Sequence, residues 1–418
     1  MQTLTEEKPD NVIASELLSS FSKNHDCPFG AELQETLKLV KSGKLDQASK
    51  ILSQNPFPIL SLKLCNWDQY FPPRSNLPQK LESLLEKLPS EKITKSKKRS
   101  KSIGIIGSGI CGLTAAKRLA LLGYTPTVYE ALPQPGGFLR YVVPEFVLPK
   151  EMLNKEIEKL EELGVEFVTN KVIGKAMALS DLESQHNALF LAAGASSPKM
   201  IHLEGQHLNN VYYANEYLLR INLMQAHQYP KFQTPLHSAS NTMVVGGGSV
   251  ALYCARIAKR LGNEVTVSYR RSANEMTSFP HEIQAALDEG IKFLEMTMPS
   301  RILGEEFVEE IEILQMMLEA EDERGRRNPI SIEDSAFAMP VDQVILAVGE
   351  TQNPLLLRDS QLRTGFGNKI IVNEQMQTNK ESIFAGGDVV KQSINTQDAI
   401  SAGSTAALNI DKFLQNSK

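Results

Sequence analysis

Residues 103–130 read IGIIGSGICGLTAAKRLALLGYTPTVYE. An apolar run, Ile103 to Ile106, leads into Gly107, Gly109 and Gly112, and the helical stretch Leu113 to Leu122 follows. A second β-branched run then ends in Glu130, about 20 residues beyond the glycines. Each residue type has a physical reason for its place. Gly107 permits the tight turn, Gly109 lets backbone approach a pyrophosphate, and Gly112 permits close helix–strand packing. The helix N-terminus faces the phosphates, and Glu130 accepts hydrogen bonds from ribose hydroxyls. Glycine triplets alone are common in turns, so the strand, helix and acid around this one carry the reading. Cys111, inside the motif, reads as a small helix residue rather than a nucleophile. Gly136-Gly137 follows and would let the chain pass close to the dinucleotide; a plain turn after Pro135 is the alternative.

The pattern recurs. Val244-Val-Gly-Gly-Gly-Ser-Val-Ala251 is again a strand, a glycine turn and a helix, with Gly246, Gly248 and Ala251 at the motif positions. Its next strand ends in Arg270-Arg271 instead of an acid. A guanidinium binds a 2′-phosphate through charge-assisted bonds worth roughly 1.5–3 kcal/mol each, so the second turn predicts NADPH over NADH. Two such units in one chain imply two nucleotides close together. Near the C-terminus, Ile383-Phe-Ala-Gly-Gly-Asp388 is a further strand and glycine turn, where a carboxylate suits the ribitol of a flavin. A small-residue helix begins after Asn395-Thr-Gln-Asp398, and its N-terminus favours negative charge at the flavin pyrimidine.

Around these motifs, short apolar runs at 165–169, 189–192, 243–245, 265–269 and 344–348 alternate with helical segments, as in parallel α/β sheets. Residues 1 to about 90 read as helical. Leucines at helical spacing run from Leu33 to Leu52 around a Gly43 break, and a short amphipathic stretch covers Leu81 to Leu88. Lys92 to Lys101 is a basic run, read as a solvated linker in preference to a patch for an acidic partner.

The chain has 418 residues and a formal net charge of −5, which gives no global basic field for nucleic acid. No apolar run reaches membrane-spanning length, and the polar N-terminus lacks a signal-peptide layout. We therefore expect a cytoplasmic protein with no membrane span. Cys27, Cys65, Cys111 and Cys254 form no C-x-x-C pair, which argues against a redox dithiol and compact metal sites.

Taken together, GIIGSGICGLTAAKRLALLGYTPTVYEALPQPGGFLRYVVPEFVLPKE, ALFLAAGAS, VVGGGSVALYCAR, VSYRR, VILAVG and IFAGGDVV with TQDAISAG resemble the small (beta) subunit of bacterial glutamate synthase and the flavin-containing part of dihydropyrimidine dehydrogenases. The resemblance implies an α/β fold of two Rossmann-like domains, with a discontinuous FAD domain and an inserted NADPH domain. It implies a helical domain at 1–91, a linker at 92–101, FAD-domain parts at 102–235 and 350–418, and an NAD(P)H domain at 236–349. Gly107, Gly109, Gly112, Glu130, Gly137, Gly194, Gly387, Asp388 and Thr396 would line the FAD site. Gly247, Gly248, Ser249, Arg270, Arg271 and Gly349 would line the NADPH site.

The first hundred residues resemble the family's cysteine-rich helical domain, with Cys27 and Cys65 as remnants of its iron–sulfur ligands. A cluster needs its full ligand set, so we expect none, and no metal site elsewhere. The family's Gly-Gly-Gly-Asp-x-Ala-x-Asp turn has Ser249 and Tyr253 in place of its acids. The implied activity is FAD-dependent oxidation of NADPH, with hydride moving from nicotinamide to flavin and electrons passing to an acceptor or a larger partner subunit. The cofactors carry that chemistry, so no catalytic acid or base is assigned. His281 and Glu282 after Pro280 read as exposed polar residues, in preference to groups that approach the nicotinamide side. The missing cysteines and the altered turn motivate a competing reading, a non-catalytic FAD-binding assembly or regulatory subunit.

Overall fold

A computed structural model of the chain describes residues 9–21, 28–65, 71, 75–89, 96–321, 327–391 and 396–416. Cys27, Asn395 and the start of the basic run at 92–95, named above, lie outside the described residues. The chain divides into two compact units. One holds Met1–Leu139, Phe146–Ala195 and Gln352–Lys418; the other holds Arg140–Glu145 and Ser196–Thr351.

The first unit begins with helices α1 (Asp10–Ser20), α2 (Pro28–Lys41), α3 (Leu45–Leu52), α4 (Pro58–Lys63) and α5 (Leu77–Glu86). Gly43, at φ +73°, turns the chain between α2 and α3, a conformation that disfavours other residues. The leucine spacing gives each helix one apolar face. Leu17, Leu33, Leu37, Ala48, Leu62 and Leu81 meet in a core of their own, and half-buried Cys65 packs against it. Each fully buried leucine contributes roughly 1.5–3 kcal/mol, which suffices to hold short helices together.

The chain then runs through β1 (Ile103–Ile106), α6 (Ile110–Leu121), β2 (Thr127–Tyr129), the single turn α7 (Phe138–Tyr141), α8 (Lys150–Glu162), β3 (Glu166–Val168), α9 (Leu179–Gln185) and β4 (Ala188–Leu191). It passes into the second unit through β5 (Ser197–Pro198), β6 (Val211–Tyr213), α10 (Ala214–Asn222), β7 (Asn241–Val245), α11 (Ser249–Arg260), β8 (Glu264–Tyr269), α12 (Pro280–Asp288) and β9 (Lys292–Glu295). There follow β10 (Thr297–Leu303), β11 (Glu310–Glu321), β12 (Arg327–Ser331), β13 (Phe337–Pro340), β14 (Gln343–Leu346) and β15 (Glu350–Thr351). The first unit is completed by β16 (Ile383–Ala385) and α13 (Thr396–Asn416).

Its sheet has the order β16-β4-β1-β2-β3, with every pairing parallel. Read from the other edge this is the Rossmann order, with its reversal between β1 and β4. The second sheet, β6-β14-β7-β8-β9, is also parallel and reverses between β7 and β14. Strands β1, β4 and β14 are buried along their length, as sheets covered on both faces require.

Three features differ from the expectations above. Residues 196–235, expected with the FAD domain, group with the second unit. The reason is that β6 pairs with β14, and β5 pairs with β15 where the chain enters and leaves. An antiparallel sheet of β10, β11, β12 and β13 also belongs to this unit. Ile302, Ile311 and Ile313 from it pack with Met243, Val245 and Val344. The basic run is not a free tether over its described half. Ser96 N and Arg99 N donate to Leu121 O and Gly123 O, and the Arg99 guanidinium pairs with Asp411 of α13.

Candidate dinucleotide-binding sites

Each parallel sheet carries one glycine turn at its switch point, and the two turns are built alike. Gly107 N donates to Tyr129 O at 2.8 Å, and Gly246 N donates to Ser268 O at 3.0 Å. Across the reversal, Ala192 N donates to Ile106 O and Ala347 N to Val245 O, both at 2.8 Å. A Cβ on Gly107 (φ +102°) would lie 2.4 Å from Ala192 O, and one on Gly246 (φ +147°) 2.3 Å from Ala347 O. Only glycine fits either position. The crevice outside these strand ends is where ligands bind in open parallel sheets.

In the first unit, a Cβ on Gly112 would lie 2.0 Å from Gly107 O, so helix α6 starts pressed against the turn. Around Gly109 and Gly194 a Cβ would meet nothing within 4 Å, which leaves an open cradle above the amide groups. Glu130 is 6% exposed. It accepts from Ser108 N at 3.1 Å, from Ser108 Oγ, and from Leu132 N at 2.9 Å. A carboxylate offers about four acceptor sites, so capacity remains for a ribose hydroxyl. Ser108 Oγ also accepts from Gly136 N at 2.9 Å. That bond draws the Gly136-Gly137 bend onto the turn, where a Cβ on Gly137 would sit 2.9 Å from Gly109 Cα. The sequence reading missed Ser108, whose role depends on a strand-end acid and a later bend.

At the far side of the same sheet, Gly386 N donates to Leu191 O and extends the β16–β4 pairing. Gly387 adopts φ +72° against the Cys111 side chain. Half-buried Asp388 follows, with its carbonyl accepting from Gln352 Nε2 at 2.6 Å. Thr396 opens α13, which lies close to α6: a Cβ on Gly403 would come within 2.3 Å of Cys111 O. Burial, and then the nearby Asp388, push the Cys111 thiol far above its ordinary range, so it serves as a packing group.

In the second unit, Gly248 and Ser249 begin α11, and Ala251, fully buried, stands where the first turn has Gly112. Gly247 faces inward. A Cβ there would strike the Tyr269 ring at 2.5 Å, and its carbonyl accepts from Thr277 N and Ser278 N. Ser249 also turns inward and donates to Glu282 Oε2 at 2.6 Å. Gly349 lies beyond β14 at φ +105°, with open space where a Cβ would be. Arg270 is exposed at the end of β8, on the edge that bears the glycine turn. Arg271 is half-buried, and its Nε donates to Arg327 O at 3.1 Å.

Glu282 corrects an expectation. It is 7% exposed, and its carboxylate gathers Ser249 Oγ, Tyr253 OH at 3.0 Å and Phe279 N at 3.0 Å. The two hydroxyls that depart from the family's acidic turn thus meet one buried carboxylate from α12. Burial, and then Glu282, raise the Tyr253 phenol well above its usual value, so it remains a donor. Among the described residues no group of three or more His, Cys, Asp or Glu is placed to hold a metal ion. No helix among them is long and apolar enough to cross a membrane.

The pattern of the pyridine nucleotide-disulphide oxidoreductases matches residues 101–403. The NADP(+)-dependent formate dehydrogenase subunit beta of Moorella thermoacetica is 33% identical over 75% of this chain, which spans only 44% of that subunit. The glutamate synthase (NADPH) small chain of Halomonas elongata is 31% identical over 75% of this chain and 68% of its own length. Among solved structures, FprA of Mycobacterium tuberculosis in complex with NADPH shares the fold, with a TM-score of 0.63 at 20% identity over 76% of this chain and 86% of that one. Two Rossmann-like turns, their switch points and these matches lead to one assignment: the chain belongs to the pyridine nucleotide-disulphide oxidoreductase family, among relatives of the glutamate synthase small chain.

Proposed function

We propose that the chain is an FAD-dependent NADPH oxidoreductase that hands electrons to a partner subunit. The observation that carries this reading is the duplicated bracket, Gly107 with Ala192 and Gly246 with Ala347, at the switch points of two parallel sheets. The residues around each bracket fit different cargo. In the first, the space above Gly109 and Gly194 suits a pyrophosphate, and Glu130 holds ribose hydroxyls with its remaining acceptor capacity. Gly137, Gly387, Asp388 and Thr396 complete the flavin side, and the first amides of α13 favour negative charge there. In the second, Gly248 and the N-terminus of α11 take the diphosphate, and Gly349 leaves room beside it. Exposed Arg270 takes the 2′-phosphate, with Arg271 beside it steadied by the Arg327 carbonyl. Gly247 and Ser249 shape this turn from behind.

When bound, the two cofactors supply hydride transfer between a pyridine and a flavin ring. The chain's own task is to bind, orient and surround them with fixed dipoles. We assign no dithiol of this chain as the electron exit, since its four cysteines include no C-x-x-C pair and Cys111 and Cys254 are buried. Nor do we assign an iron–sulfur cluster, because the helical segment carries only Cys27 and Cys65 and a cluster needs its full ligand set. A partner is supported by the relatives' own names, a subunit beta and a small chain.

The test is an anaerobic titration of the flavin-loaded protein. NADPH is expected to bleach the flavin absorption band stoichiometrically, and NADH at the same concentration to do so far more slowly. An unchanged band with NADPH would instead support the non-catalytic assembly role.

A further inference from the structure

The turn Gln54–Phe57, between α3 and α4, contacts the nucleotide-binding part of the same unit at each of its positions. Gln54 O accepts from the Arg118 guanidinium of α6. Asn55 Nδ2 donates to Gln397 Oε1 in the first turn of α13 at 3.2 Å. Pro56 O accepts from Lys117 Nζ. The Phe57 ring, fully buried, has Lys117 Nζ 4.8 Å from its centroid. Lys117 is in turn paired with Glu156 at 3.5 Å, and burial holds its ammonium below the ordinary range. A segment so engaged is part of the unit it touches.

Asn55 is the member that reaches α13. It is 2% exposed, and its amide plane is fixed from within the helical segment. Its Oδ1 accepts from Phe57 N at 2.9 Å, and its Nδ2 also donates to Ser61 Oγ at 3.2 Å. The remaining amide hydrogen is therefore aimed at Gln397 by the local turn. Gln397 directly follows Thr396, so the contact bears on the backbone of that first turn.

We propose that Asn55 is a positioning residue of the flavin site, acting through Gln397 on the opening turn of α13. The proposal rests on the FAD reading above. The helical segment then serves as a brace for the cofactor domain, and a partner that docks on it gains a route to the flavin's properties.

The experiment is a double-mutant cycle on the full chain, read by FAD dissociation constant and flavin midpoint potential. Asn55→Ala and Gln397→Leu each remove one side of the contact, and Gln397 is only half-buried, so its variant keeps the fold. Each variant is expected to weaken FAD binding about fivefold to tenfold, as loss of one buried hydrogen bond does. Each is also expected to move the potential to more negative values, because loosened amides stabilise added charge less. The double variant is expected to match the single ones, the mark of one shared interaction. Lys80→Met, which removes the α5–α1 ion pair with Glu16 and leaves the Gln54–Phe57 turn intact, is expected to lower the melting temperature slightly and leave both flavin readouts unchanged. Wild-type affinity and potential in both single variants, or fully additive effects, would overturn the proposal. Wild-type protein that takes up no FAD would overturn the underlying FAD reading itself.

Discussion

Gly109 and Gly112 are three residues apart and predict opposite outcomes for the same substitution. Gly109 has φ −67° and ψ 174°, which any residue adopts, and its Cβ direction is open. Gly109→Ala is expected to change the stability of the flavin-free chain by less than about 0.5 kcal/mol while sharply reducing FAD uptake, because the methyl fills the cradle. Gly112→Ala puts a Cβ 2.0 Å from Gly107 O and is expected to destabilise by about 1–3 kcal/mol as well. Urea unfolding together with bound-flavin content separates the two; equal stability losses would contradict the placement of the open space. The glycines were legible in the sequence because their spacing is local. Ser108 was not, since Glu130 and Gly136, 22 and 28 residues later, give it its role.

At the scale of elements, what was legible follows the same division. Strands such as Ile103–Ile106 announce themselves as continuous apolar runs, the signature of a covered parallel sheet. Strand β11, EIEILQMMLEAE, does not, because Glu, Leu and Met favour helix and its pairing with β10, β12 and β13 makes it extended. Glu282 misled for a related reason: the groups that bury it, Ser249 and Tyr253, lie on another helix. Glu282→Ala leaves a phenol, a hydroxyl and a backbone N–H without their acceptor. It is expected to cost the second unit about 2–4 kcal/mol in urea unfolding; a cost under about 0.5 kcal/mol would contradict the buried contact. In the first sheet, His186 joins Ser102 Oγ (2.7 Å) to Tyr129 OH (2.9 Å), and burial lowers its pKa below the ordinary 6.5. The unfolded chain therefore binds this proton more readily than the folded one. Stability is expected to fall as pH drops below about 6.5 and to level off once the folded pKa is passed. His186→Gln should flatten that part of a melting-temperature profile, and an unaltered slope would contradict the assignment.

At the scale of the whole molecule, one architecture is used twice with different cargo. Both turns have the same backbone hydrogen bonds, but β2 leads into Glu130 and β8 into Arg270. A carboxylate suits ribose hydroxyls and repels a 2′-phosphate, whereas a guanidinium binds that phosphate. The measurement that bears on this most directly is calorimetric binding of FAD and of NADP+ to flavin-free protein, in the wild type, Gly109→Ala and Arg270→Ala. One site for each ligand is expected in the wild type, loss of FAD alone in Gly109→Ala, and NADP+ binding weakened about tenfold or more in Arg270→Ala with FAD binding intact. Both ligands lost together in either folded variant, or neither affected, would contradict the two-cargo architecture.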